Sequence, residues 1–103
     1  MSVTVRTQKG KCKVKIEGDM TIYTALEMKE KLLKPIEKCK SVELELSQVL
    51  DIDTAGIQLL GLLKREAMDR DISLEFKNHS TTVQDAFTLY HVTEQLEQTS
   101  TDP

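Results

Sequence analysis

Four short stretches of the chain alternate apolar with polar residues. Val3 and Val5 form the first, and Cys12, Val14 and Ile16 the second, with the Gln8–Lys11 link between them predicting a turn and hence an N-terminal hairpin. Val42, Leu44 and Leu46 alternate with Glu43 and Glu45 in the third. Ile72, Leu74 and Phe76 alternate with Ser73, Glu75 and Lys77 in the fourth. Between the strands the period changes to that of a helix. Ala25, Met28, Leu32, Ile36 and Cys39 make one stripe, Ile57, Leu60, Leu63 and Ala67 a second, and Val83, Ala86, Phe87 and Tyr90 a third. Pro35 interrupts the first stripe, which predicts a kink or break near Lys34. Ser80, and Thr81 with Gln84 three residues on, mark the start of the third helix in a capping-box pattern.

The predicted order is strand, strand, helix, strand, helix, strand, helix. Strands covered on both faces read as continuous apolar runs; these alternate, so helices are expected on one face only. The fold class is therefore α/β: a two-layer domain with a mixed sheet of about four strands and helices on one face. Its last strand–helix–strand unit is expected to be a right-handed parallel crossover. Glu43, Glu45, Glu75 and Lys77 should lie on an open, solvated face. Residues 1–97 are expected to form the one domain and 98–103 a flexible tail, since "QTSTDP" has nothing to bury.

Composition narrows the function classes. With 103 residues the chain can bury a self-sufficient core. Its net charge of -3, with Lys and Arg dispersed, argues against nucleic acid, which needs a concentrated basic face. The longest apolar run, Ile57–Leu63, is too short for a bilayer, which takes about 20 residues. Cys12 and Cys39 have no metal-ligand spacing and read as buried small hydrophobes. Two lone thiols behind a start without a signal-like apolar stretch suggest a reducing, cytoplasmic setting.

Enzyme templates fail. There is no glycine-rich phosphate loop, no GxSxG and no HExxH, and no metal or cofactor is called for. His79 and His91 lack an adjacent nucleophile and read as ordinary surface or boundary histidines. What remains is the entrance to the second helix, "DIDTAGI", Asp51 to Ile57. Functional residues of α/β sheets collect where strands end and helices begin. One of Asp53 and Thr54 can cap the helix, which leaves the other unexplained. Ala55-Gly56 removes bulk beside the hydroxyl, at a cost of about 1 kcal/mol of helix propensity for the glycine. A hydroxyl in that position is open to another protein's active site. Phosphate there would meet free backbone donors, while Asp51 and Asp53 would repel it, so modification should alter a partner surface. Thr54, Gln58, Leu62, Arg65 and Asp69 share the polar side of this helix, and Leu62 is the apolar outlier among them. The C-terminal segment near Val92 or Leu96 covers Leu62, or a partner does, or it is one of the single exposed leucines that many surfaces carry.

The strand–"DTAGI"–helix element resembles the STAS family (sulfate transporter and anti-sigma factor antagonist), in which Asp-[Ser/Thr]-[Ser/Thr/Ala]-Gly-[Leu/Ile] follows the third strand. The matching residues are Asp53, Thr54, Ala55, Gly56 and Ile57. "GDMTIYTALEMKEKL" (Gly18–Leu32) and "ISLEFKNHSTTVQDAFTL" (Ile72–Leu89) are similar to flanking parts of the family in the right order. The resemblance implies an anti-sigma factor antagonist-like phospho-switch that is not itself an enzyme. Its partner would be an anti-sigma factor or a histidine-kinase-like ATPase serine/threonine kinase. That kinase would phosphorylate Thr54 and end binding, and a PP2C-type phosphatase would reverse the modification. Asp53 and Gly56 would support the motif, and Asp19, Thr21, Asp51, Ala55, Gln58, Leu62 and Arg65 would meet the partner. One departure stands out: many phosphorylated members carry Gly-x-x-Asp after the second strand, and here Thr21 holds that acid's place, with Asp19 near. The resemblance leaves two other readings: a STAS subunit of a lipid-trafficking ABC transporter complex, and an unmodified interaction domain in which Thr54 only caps.

Overall fold

The computed structural model describes residues 2–90. Four strands and three helices follow one another as β1 (Ser2–Gln8), β2 (Lys11–Met20), α1 (Ala25–Lys38), β3 (Ser41–Ile52), α2 (Thr54–Asp69), β4 (Ser73–Lys77) and α3 (Thr81–Leu89). The sheet runs in sequence order, β1-β2-β3-β4. β1 and β2 pair antiparallel around a two-residue turn, Lys9-Gly10, with positive φ at both positions. β2–β3 and β3–β4 are parallel, so the sheet is mixed as expected.

Alternation decides the layering. Cys12, Val14 and Ile16 of β2, Val42, Leu44 and Leu46 of β3, and Leu74 and Phe76 of β4 are buried. Against them pack Met28, Leu32 and Ile36 of α1, Ile57, Leu60, Leu63 and Ala67 of α2, and Val83, Ala86 and Phe87 of α3. Lys11, Lys13 and Lys15 face away from this core, as do Glu43 and Lys77. Each predicted helical stripe is a buried stripe, with two exceptions: Ala25 is half-buried, and Tyr90 is α3's exposed C-cap.

Several expectations are corrected. The helix does not break at Lys34: α1 continues to Lys38 with Pro35 inside it and buried. Proline deletes one donor, but only one further turn follows, and burial of Pro35 and Ile36 offsets the loss. Ser80 caps α3 by accepting from the Val83 amide at 3.2 Å, and the Gln84 side chain donates instead to the His79 carbonyl, so Thr81 and Gln84 form no capping box. Glu45 and Glu75 are half-buried, because Glu45 accepts from Asn78 (2.6 Å) and from Ser47, and Glu75 pairs with Lys77 (2.8 Å).

Cys12 and Cys39 are not separate thiols but a disulfide, with Cα atoms 6.0 Å apart. The parallel register explains the meeting. Lys11 lies opposite Ser41, so the residues just before β3 stand beside the start of β2. The paired state removes the argument for a reducing compartment that rested on lone thiols.

The sheet is irregular where it approaches the second helix. Opposite β2, β3 carries an extra residue between Glu45 and Gln48 and another between Val49 and Asp51. The first keeps Val49 in the core, and the second leaves Leu50 exposed. Gly18 sits at this second irregularity with φ 103°, a conformation that a side chain would strain.

Candidate functional site

The site lies where β2 and β3 end and α1 and α2 begin. Asp53 is the N-cap of α2 and uses both carboxylate oxygens. Oδ1 accepts from the Gly56 amide at 3.2 Å, and Oδ2 accepts from the Ile22 amide at 3.0 Å. One side chain thereby caps the helix and fastens to it the turn between β2 and α1. The Ile22 amide contributes most to holding the Asp53 carboxyl below its usual range, with the Gly56 amide adding to it.

Gly56 is buried, and its role differs from the one read in the sequence. A Cβ there would stand 2.2 Å from the Met20 carbonyl oxygen and 2.7 Å from Ile52 Cγ1. Its missing side chain lets the first turn of α2 rest directly on the end of β2; it does not clear space beside Thr54. The helix-propensity cost of glycine is offset by this close approach.

Thr54, by contrast, is exposed and has no capping work, because Asp53 does it. Its hydroxyl donates to the Tyr90 hydroxyl at 3.2 Å. Two exposed hydroxyls meeting in water contribute little to stability. The question of which oxygen caps the helix is thus settled in favour of Asp53, and Thr54 is the one left available.

The other expected residues divide into two groups. Asp19 and Asp51 lie opposite each other in the β2–β3 register and are both exposed. The Asp51 carboxylate accepts from the Ile52 amide at 2.9 Å, and the Asp19 carbonyl accepts from the Thr24 hydroxyl at 2.7 Å. Thr21 is half-buried in the turn and accepts from the Tyr23 amide at 3.3 Å. These three gather around Asp53, Thr54 and half-buried Ala55. Gln58 and Arg65 are exposed farther along α2. Leu62 is half-buried and packs against the core, so it is not the exposed outlier the helical wheel suggested. Val92, Leu96 and His91 lie outside the described residues, as does the 98–103 tail.

Exposed apolar surface collects elsewhere. Ile22 is 69% exposed, Tyr23 93% and Leu26 80%, all in or just after the turn that Asp53 holds. Leu50 and Tyr90 add to the same end of the domain, where Tyr90 touches Thr54. Sequence reading missed this cluster, although a signal existed: Ile22, Tyr23 and Leu26 belong to no buried stripe. It also missed Lys64, which is buried on α2 and donates to the Leu74 carbonyl at 2.7 Å near the Phe76 ring, a structural role.

No cluster of His, Cys, Asp and Glu among the described residues could hold a metal ion, and no described helix is long and apolar enough to cross a membrane. The site presents the exposed Thr54 hydroxyl next to the capping carboxylate of Asp53.

A family profile described as "Mlab, STAS domain" matches residues 3–98. The chain belongs to the STAS family. No curated protein matches it. Among solved structures, an anti-sigma factor antagonist from Mycobacterium paratuberculosis is similar with TM-score 0.79 at 13% identity, covering 91% of this chain and 80% of that one. The anti-sigma factor antagonist SpoIIAA in its unphosphorylated form gives 0.68 at 13% identity, covering 85% and 83%. A sulfate transporter family protein from Wolinella succinogenes gives 0.70 at 18% identity, covering 88% and 75%. At these identities the likeness is one of fold.

Proposed function

We propose that this STAS domain is an anti-sigma factor antagonist-like phospho-switch acting in the cytoplasm. Unphosphorylated, it binds an anti-sigma factor or a histidine-kinase-like ATPase serine/threonine kinase. Phosphorylation of Thr54 by that kinase ends binding, and a PP2C-type phosphatase restores it. The observation that carries this reading is the division of labour at α2: Asp53 caps the helix and Thr54 is left exposed beside an apolar rim.

The physical logic is local. Ile22, Tyr23 and Leu26 supply apolar area for a partner, and Asp19, Thr21, Asp51, Ala55, Gln58 and Arg65 supply polar contacts around it. Phosphate on Thr54 adds close to two negative charges beside Asp53 and Asp51. Burying that dianion under a partner carries a large desolvation cost, whereas exposing it to water does not. The switch therefore acts on the interface and leaves the fold intact.

Incubation with the cognate kinase and ATP, followed by peptide mapping, tests the reading. Phosphate should appear on Thr54 and vanish in Thr54→Ala. Thr54→Glu should lose kinase binding while keeping a native circular dichroism spectrum. Phosphate that persists in Thr54→Ala, or full binding by Thr54→Glu, would refute it. Membership of the STAS family is equally compatible with a second reading, a STAS subunit of a lipid-trafficking ABC transporter complex. Copurification with a transporter ATPase, with no phosphate on Thr54, would select it.

A further inference from the structure

The Cys12–Cys39 disulfide is buried, yet both cysteines line a groove of about 390 Å³ between β1 and the C-terminal half of α1. Val3, Val5 and Pro35 give the groove an apolar lining, and Lys31, Lys34 and Lys38 contribute its positive charge. Lys31 also lies 3.8 Å from Glu27, while Lys38 belongs to the last turn of α1, directly before Cys39. Three cations around one opening concentrate small anions there and favour the thiolate form of any cysteine released within it.

We infer that Cys12–Cys39 is an exchangeable thiol–disulfide pair, opened and closed by small anionic thiols that enter through this lysine-rimmed groove. The thiolate of the incoming molecule attacks Cys39 Sγ, Cys39 being the less buried residue of the pair at 6% exposed against 2% for Cys12. A mixed disulfide forms on Cys39, the Cys12–Cys39 bond breaks, and the electron pair leaves on Cys12 Sγ. Thr7 Oγ1, 3.4 Å from that sulfur, is placed to donate a hydrogen bond to it as it becomes a thiolate. A second small thiolate then attacks its own kind in the mixed disulfide and releases the Cys39 thiolate. Two small thiols are oxidised to one small disulfide, and the protein disulfide is reduced to two thiols; the reverse reaction consumes the small disulfide. The bond joins the start of β2 to the end of α1 across 27 residues of sequence, so opening it loosens the end of α1 from the β1–β2 edge of the sheet.

Equilibration of the full chain in mixtures of reduced and oxidised glutathione at neutral pH, quenched in acid and weighed intact, tests this. The native chain should interconvert between a dithiol and a form lighter by two hydrogens. Cys12→Ala should accumulate a single glutathione on Cys39. The double variant Lys34→Glu/Lys38→Glu should be slowed about tenfold more with glutathione than with dithiothreitol, whose attacking thiolate carries no further charge. The disulfide form should unfold at a higher urea concentration than the dithiol. A chain that stays a dithiol in oxidised glutathione, or opens only after urea unfolds it, would overturn the proposal. Equal slowing with both reagents would overturn the role of the lysines. Should Cys12→Ala fail to fold, the wild-type mass series decides alone.

Discussion

Gly56→Ala separates two explanations of one glycine by the sign of its effect. At an exposed helical position the added methyl would stabilise by about 1 kcal/mol, the propensity difference between the two residues. Here the methyl carbon would stand 2.2 Å from the Met20 carbonyl oxygen and 2.7 Å from Ile52 Cγ1. Ordinary carbon–oxygen contacts begin at about 3.3 Å, so the first turn of α2 must retreat by about 1 Å. The obstacle is strand backbone, which cannot rotate away. Overpacking of this kind costs about 1–3 kcal/mol. Retreat also stretches two hydrogen bonds across the same seam, Asp53 N to the Met20 carbonyl (3.3 Å) and the Ile22 amide to Asp53 Oδ2 (3.0 Å). Each contributes about 1 kcal/mol. Setting the propensity gain against these losses leaves a net destabilisation of about 2–4 kcal/mol. A urea melt followed by circular dichroism should show the midpoint falling by about 1 M or more, given the usual slope for small domains. An unchanged or raised midpoint would mean that α2 does not rest on β2 at this point. The placement of Thr54 would then need another explanation.

Four further outcomes follow from the same geometry. Asp53→Ala should destabilise by about 1–2 kcal/mol through loss of the cap, and the β2–α1 turn should gain faster amide exchange at Ile22. The Asp53 carboxyl is depressed in the folded chain, chiefly by the Ile22 amide, so its contribution is present above the unfolded value near pH 4 and fades as pH falls through the lower folded value. Asp53→Asn should therefore flatten acid unfolding in that window, as read by urea midpoints measured between about pH 2 and 5. Leu62→Ala should cost about 1–2 kcal/mol in a urea melt, because Leu62 packs on the core, whereas Tyr23→Ala should leave the midpoint within about 0.5 kcal/mol and weaken partner binding in a calorimetric titration. Glu43→Gln, on the open face, should likewise stay within about 0.5 kcal/mol, whereas Glu45→Ala should cost about 1 kcal/mol by releasing Ser47 and Asn78.

The one-dimensional pattern carried the architecture because its periods report which side of an element is dry. Alternation in β2, β3 and β4 required one covered face, and the stripes Met28–Leu32–Ile36 and Ile57–Leu60–Leu63–Ala67 required helices to cover it. The motif from Asp53 to Ile57 located the end of the domain where a hydroxyl is presented, because strand exits and helix entrances have recognisable chemistry. What the pattern could not carry were relations between residues distant in sequence. Only the parallel register places Cys39 against Cys12, and only the approach of α2 to Met20 explains why position 56 has no side chain. The choice of Asp53 over Thr54 as cap depends on backbone geometry at a single residue, and the Tyr90–Thr54 contact spans 36 positions. Leu62 shows the same limit from the other side. A helical wheel assumes one flat core, but α2 packs against α1 as well as the sheet and is covered over a wider arc, while the exposed apolar area lies at Ile22, Tyr23 and Leu26. Local sequence sets which elements form and which faces avoid water; the distances between elements are set by packing, and there the site acquired its shape.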